Sequence, residues 1–511
     1  MLDTKTEVIE RLKAHLAPII DIRAAAGVLG WDQQTNMPPG GGRARAEQLG
    51  TLRRVAHEMF TARRTGDLLE AAEAVADQLD PDSDEAALLR MTRRDLDRAM
   101  RLPSEFVAER ARAAALSVEV WRQARPANDF AMFRPHLEQM IGFARRTADY
   151  LGYEDHPYNA LLDQYEPGMT SRQVSLLFAR LRQVTVPLVR AIAARGQVVD
   201  AAFLTREYDE AKQEAFGRTV VKAFGYDFKR GRLDQAPHPF ATGFSRDDVR
   251  ITTRYNRHFL PSGVFAMFHE AGHALYGQGI SPSLDRTSLG RGASNGVHES
   301  QSRMWENLVG RSRPFWAHHF PKLRELFAEQ LNGVDAEAFY RAVNQVQPSL
   351  IRVEADEVTY NLHIILRFEL EQALLEGSLK VEELPEAWNG KMREYLGLTP
   401  PTDADGVMQD IHWSSGSIGY FPTYTLGNVI SAQLFEAAQR QHPGLPDEFG
   451  RGEFATLLGW LREHVHRHGR KYFPQELLQH VTGGTLTPEP YLSYLTQKFG
   501  KIYGMASGDR I

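Results

Sequence analysis

The chain has 511 residues, 42% of them apolar and 24% charged, a globular composition that excludes wholesale disorder and suffices for a large buried core. Sixty basic against sixty-five acidic side chains leave a net charge of −5, so neither a nucleic-acid partner nor a polybasic membrane anchor is expected. Cysteine is absent, which removes disulfides, thiolate metal sites, iron–sulfur clusters and thiol catalysis. No apolar run approaches the roughly 18 residues that span a bilayer, and Met1 to Arg11 carry charge every few positions, unlike a secretory leader. A cytoplasmic protein is the expectation.

Apolar residues at three-to-four spacing predict helices over 5–26, 44–65, 84–100, 104–124, 128–151, 171–195 and 206–224. Pro38-Pro-Gly-Gly-Gly42 is the clearest break, and Pro81, Pro103 and Pro167 suit helix starts or turns. Residues 1–230 therefore read as a mostly helical lobe. From Gly231 the texture changes, and Asp248-Val-Arg-Ile-Thr-Thr-Arg-Tyr255 alternates β-branched with polar residues, as a half-buried strand does. After Pro261 helices return, among them a long one over 349–376 that stops before Gly377. The fold class expected is mainly α, one domain over 1–511, with a small antiparallel ribbon.

Pro261 to Gly277 carries the most information. Ser262 suits a cap, Val264, Phe265, Phe268 and Leu275 form an apolar stripe, and Gly277 suits the end of the helix. Within it lies His269-Glu-Ala-Gly-His273. Histidines four apart share one helical face, and a tetrahedral zinc ion needs donor nitrogens only about 3.3 Å apart, within reach of two inward-leaning imidazoles. Glu270 flanks the metal without ligating it, where it can take a proton from water and pass it on. With 18 histidines the pattern arises by chance in roughly a few per cent of chains this long, and the helical context lowers that further.

A catalytic site wants a third protein ligand. The metzincin extension fails, because Tyr276 and Gly279 stand where Gly and His are required. The alternative is an acidic residue on a later helix. Val297 to Val309 fits, with Trp305, Leu308 and Val309 facing inward, and on spacing alone Glu299 and Glu306 compete.

Further on, Arg352, Asp356, Thr359 and His363 recur at four, three and four, a polar stripe that a single helix would set along a wet cleft or a solvated face. Arginine's planar fork can grip a carboxylate there. Gly406 to Gly427 is rich in glycine and hydrogen-bond donors, and His412, Tyr420 and Tyr424 are candidates to stabilise an oxyanion. His238-Pro-Phe240 reads as a turn before the strand.

Together these strings resemble the carboxypeptidase Taq family of zinc metallocarboxypeptidases: His238-Pro-Phe240, Asp248-Val-Arg-Ile-Thr252, His269-Glu-Ala-Gly-His273, His298-Glu-Ser-Gln301, Ile351-Arg-Val-Glu-Ala-Asp356 and Gly406-Val-Met-Gln-Asp-Ile-His-Trp413, in that order. Trp31 to Pro38 and Leu384 to Asn389 are similar as well, and the likeness runs from about residue 8 past residue 500. The resemblance implies a two-lobed helical body with a long central groove and a small sheet beside the active-site helix, residues 231–511 holding the zinc and substrate. It implies His269, His273 and Glu299 as zinc ligands and Glu270 as general base. Arg352 would hold the substrate's terminal carboxylate, with His238 closing that end and Tyr420 nearby. His412 and a tyrosine, Tyr424 rather than Tyr420, would stabilise the tetrahedral intermediate. It further implies peptide substrates with a free C-terminus, cobalt able to replace zinc, and a homodimer. The strand around Arg250–Thr253 is expected to pair with the substrate backbone. A zinc oligopeptidase cutting inside peptides, or a non-catalytic peptide-binding protein, are the alternatives.

Overall fold

The computed structural model describes residues 5–505, so the ends of the expected 1–511 domain lie outside it. Helices dominate. They run over Lys5–Thr35, Gly42–Thr61, Asp84–Arg101, Ser104–Ala127, Phe130–Leu151, Ser171–Ala193 and Glu210–Phe224, each close to a stretch that the apolar period marks out. The proline–glycine break is a single 3-10 turn, Pro39–Gly41, between the first two. No helix among the described residues is long and apolar enough to cross a membrane.

Two compact units interleave along the chain rather than following one another as halves divided near residue 230. Among the described residues, one comprises the chain up to 100, 201–343 and 434–484; the other comprises 101–200, 344–433 and the chain from 485 on. In the first, Phe224, Phe268, Phe315 and Phe454 pack edge-on or tilted with ring centroids 5.0–6.2 Å apart. Such pairs add directional attraction to the burial of large apolar area. In the second, Phe368 on the helix Tyr360–Glu376 meets Phe178 at 5.1 Å and Tyr158 at 5.3 Å.

The sheet has three strands, β1 (Leu233–Gln235), β2 (Ala241–Ser245) and β3 (Asp248–Thr253), in the order β1-β3-β2. β2 pairs antiparallel with β3, as expected, but β1 runs parallel to it, so the sheet is mixed rather than purely antiparallel. β3 is thus the central strand: Thr252 N–H donates to the Phe240 carbonyl, and the Ala236 and Ile251 N–H groups complete the other ladder. A strand with both edges paired has no backbone groups left for a peptide. The expected pairing of Arg250–Thr253 with substrate is therefore incorrect.

The long helix expected from residue 349 begins only at Tyr360. Asp356 accepts the N–H groups of Val358 and Thr359 and the Thr359 hydroxyl, an Asx-type turn that competes with helix. Arg352 lies upstream in a separate 3-10 turn, Arg352–Glu354, so Arg352, Asp356, Thr359 and His363 do not form one helical stripe.

Candidate active site

The metal motif sits in the first unit on the helix Leu260–Gly279, two residues longer at its end than the Gly277 stop suggested. Phe259, not Ser262, occupies the N-cap, with Pro at the first turn. Burial extends almost all round this helix, from Leu260 to Gln278, which makes it a core element rather than a surface one. The helix Asn295–Arg303 lies across it and continues into a π-helical stretch, Met304–Val309. Ser294 caps that second helix by accepting the Val297 N–H. The two approach closely at Gly272: a Cβ there would stand 2.5 Å from the Gln301 carbonyl oxygen and 2.6 Å from Ser302 Cα. Only glycine permits this spacing without displacing backbone.

The approach brings His269, His273 and Glu299 together, with one ligand atom from each all within 4.8 Å of one another. Glu299 Oε2 lies 3.7 Å from His269 Nε2 and 3.6 Å from His273 Nε2. The other face of each imidazole is held. His269 Nδ1 is 2.9 Å from Glu306 Oε2, and His273 Nδ1 is 2.8 Å from His298 Nδ1. The two glutamates that compete on spacing thus address opposite nitrogens of His269. Glu306 fixes the ring; Glu299 faces the point where the Nε2 atoms converge. Arg303 ties them together, donating from Nε to Glu299 Oε1 at 2.7 Å and from Nη1 to Glu306 Oε2 at 3.2 Å.

The electrostatics agree with a cation site. Burial would push the Glu299 carboxyl up, but Arg303, His269 and His273 together hold it well below the carboxylate range. The same contest, with Arg303 and His269 against burial, holds Glu306 at about 2. Burial alone would lower His269, yet Glu299, Glu306 and Glu270 outweigh it and raise it. Burial, with His273 adding to it, drops His298 to about 3, so it stays neutral and its Nδ1 can accept a hydrogen bond from the His273 Nδ1–H. Glu270 is buried on the same helix, and burial raises its carboxyl despite the two histidines. Two imidazole nitrogens and one carboxylate oxygen with oriented rings fit a divalent metal of the zinc type.

His238 is exposed in the turn between β1 and β2, and Phe240 beside it is stapled to Thr252 through backbone and hydroxyl. Arg250 forms two 2.8 Å bonds to Asp248 and lies over the Trp31 ring at 4.4 Å, which joins two of the quoted strings.

The second unit gathers Arg352, His412, Tyr420 and Tyr424. Arg352 is almost fully buried: Nε and Nη2 both donate to Asp410 Oδ1, at 3.0 and 2.8 Å, and Nη1 donates to the Tyr360 hydroxyl at 3.0 Å. Of five guanidinium N–H groups these use three, leaving one on each terminal nitrogen, the pair that matches a carboxylate. Arg367 takes the other Asp410 oxygen from Nε at 2.8 Å. His412 Nε2 is 3.2 Å from the Tyr424 hydroxyl, whereas Tyr420 meets His412 by ring packing at 5.5 Å. Burial lowers His412 to about 4, leaving it neutral at neutral pH. Glu371, raised to about 7 by burial, accepts from Trp413 Nε1, Tyr158 Oη and Gly419 N, and so pins the loop that carries His412.

Sequence reasoning assigned no role to Arg303, His298, Asp410, Arg367 or Glu371. Arg303 stands four residues after Glu299, a helical pair that could have been read. His298 and Asp410 lay within quoted strings; Arg367 and Glu371 gave no local signal.

A family profile for the carboxypeptidase Taq (M32) metallopeptidases matches residues 11–499. Thermostable carboxypeptidase 1 of Thermus thermophilus is 44% identical, with 97% of this chain and 98% of that protein covered. Carboxypeptidase 1 of Bacillus subtilis is 39% identical over 94% of this chain and 95% of its own. The crystal structure of an M32 carboxypeptidase from Deinococcus radiodurans superposes with a TM-score of 0.95 at 45% identity, covering 98% of this chain and all of that one. With a metal-type cluster, a matching profile and full-length relatives in agreement, the chain belongs to the carboxypeptidase Taq (M32) metallopeptidases, a family of peptide-hydrolysing enzymes.

Proposed function

We propose that this metallocarboxypeptidase is zinc-dependent, releases residues singly from the C-terminus of peptides with broad specificity, and uses Glu270 as its general base. The convergence of His269 Nε2, His273 Nε2 and Glu299 Oε2 beside the buried Glu270 carries the reading. His269, His273 and Glu299 would hold a zinc ion, or cobalt in its place, which when bound would supply Lewis-acid polarisation and a lowered pKa for its water. Glu270 takes the proton of the attacking water and returns it to the leaving amine, a shuttle suited to a carboxyl raised by burial. Tyr424 Oη, beside the neutral His412, donates to the developing oxyanion. Arg352 holds the terminal carboxylate with its remaining N–H pair, already squared by Asp410 and Tyr360. His238 and Tyr420 belong to the substrate-binding set on the family resemblance, as do homodimer assembly and a cytoplasmic location. Broad specificity follows from gripping a group that every C-terminus has.

Two comparisons test this. A peptide with a free C-terminus is cut and its amidated twin is not; equal cleavage of both would make the enzyme an endopeptidase and remove Arg352's role. Glu270→Gln abolishes hydrolysis while the metal content is unchanged; undiminished turnover would refute the base assignment.

A further inference from the structure

Two buried arginines of the second unit share one carboxylate. Arg352 places Nε and Nη2 on Asp410 Oδ1, at 3.0 and 2.8 Å. Arg367 takes Asp410 Oδ2 from Nε at 2.8 Å, and its Nη2 stands 2.6 Å from the same oxygen. The Arg367 side chain has no exposed surface, so it cannot meet a peptide itself. It is fixed on the helix Tyr360–Glu376, where Nη1 donates to the His363 carbonyl one turn back and the guanidinium lies 4.5 Å over the Trp388 ring.

The charges do not balance. Among the described residues Asp410 is the only carboxylate that ion-pairs with either arginine. The Glu371 carboxyl feels Arg367, but it bonds to Trp413, Tyr158 and Gly419, and burial raises it to about 7, so it supplies only part of a charge. Two guanidinium groups therefore face one full negative charge. Both approach the Phe421 ring, Arg352 at 5.8 Å and Arg367 at 5.4 Å, so the excess lies close to Arg352. Burial and Arg352 lower Arg367 to about 10 although Asp410 opposes them, which leaves it charged at neutral pH. An arginine usually meets a carboxylate with two N–H groups on two oxygens. Here Arg352 has only Oδ1, because Arg367 occupies Oδ2. Arg352 thus keeps unneutralised charge together with one free N–H on each terminal nitrogen.

We propose that Arg367 is a positioning residue for the peptide's terminal carboxylate: by holding Asp410 Oδ2 it stops Asp410 from neutralising Arg352, and the substrate supplies the second negative charge. The proposal rests on the reading of Arg352 as the group that grips this carboxylate. A buried set of two cations and one anion is incomplete by itself, and one more carboxylate balances it. Affinity is thereby tied to the charged chain end rather than to the residue that bears it.

The test uses the metal-loaded full chain and an alanine-rich peptide whose last amide is replaced by an uncleavable CH2–NH group. The peptide is made with a free C-terminus and with an amidated one, and calorimetry reads the affinity of each. In the wild type the free acid binds on the order of 100-fold tighter than the amide. Arg367→Gln cuts that ratio by about tenfold and leaves the affinity for the amide unchanged. This variant retains Arg352 and Asp410 as a balanced buried pair, so it folds. Arg367→Lys, which restores a charge beside Oδ2, brings the ratio back to within about threefold of the wild type. An unchanged ratio in Arg367→Gln would overturn the proposal, as would an equal loss for acid and amide, the mark of a merely structural role. A tenfold fall in Arg367→Lys would overturn it too, whether or not the Gln variant folds. Equal binding of acid and amide by the wild type would instead remove the reading of Arg352, and the proposal with it.

Discussion

On the proposed zinc reading, replacing Glu306 by Gln separates a residue that orients a ligand from one that binds the metal. The substitution keeps an acceptor for His269 Nδ1 but removes the charge 2.9 Å from it. Carboxylates behind ligating histidines are worth roughly 10–100-fold in metal affinity, or about 1.4–2.7 kcal/mol. The structure places this case in the lower part of that range. Glu306 orients only one of the two imidazoles, and it already shares its charge with Arg303 at 3.2 Å and Arg311 at 3.5 Å. Arg303 also remains bonded to Glu299 Oε1 at 2.7 Å in the variant, so the third ligand keeps its place. A loss of about 10–30-fold is expected for Glu306→Gln. Glu299→Gln, which removes the anionic ligand itself, should cost at least about a further tenfold. Competition for zinc against a chromophoric chelator measures both on folded protein. Equal losses for the two variants, or an unchanged affinity in Glu306→Gln, would refute the division of labour between the two nitrogens of His269.

Asp410→Ala strands Arg352 and Arg367, whose side chains are 7% and 0% exposed. Denaturant unfolding should show a loss of about 3–5 kcal/mol, against which a loss under about 1 kcal/mol would mean that the two arginines find other partners. Glu371 gives stability a pH dependence. Burial raises its folded pKa to about 7 against the three donors that pull it down, above an unfolded value of about 4.3. The protonated folded form is thus favoured: its contribution is complete below the unfolded value and is lost as pH rises through about 7. Calorimetric Tm of the wild type should therefore fall between pH 5 and pH 8 more than that of Glu371→Gln; parallel profiles would contradict this.

The candidate metal cluster was legible because it is local. Two histidines one helical turn apart and a capped helix downstream state their geometry in the sequence. Spacing could not choose between Glu299 and Glu306, because it does not say which imidazole nitrogen a carboxylate meets, and both meet His269. Arg352 was found but misplaced on a helix: its four-three-four spacing with Asp356, Thr359 and His363 is helical in period, and the turn made by the Asp356 side chain overrides it. The Arg352–Asp410–Arg367 group joins distant segments and leaves no periodic trace. β1, three residues long, was too short to announce itself, and without it the central position of β3 could not be known.

Gly272 fixes more than a helix crossing. Because the motif helix rests directly on the Gln301–Ser302 backbone, the gap between the two imidazoles and Glu299 is dictated by main-chain contact and not by whatever ion enters it. Metal uptake then resembles filling a rigid socket more than folding around a nucleus. On the proposed zinc reading, selectivity among ions would then come from the fixed donor geometry.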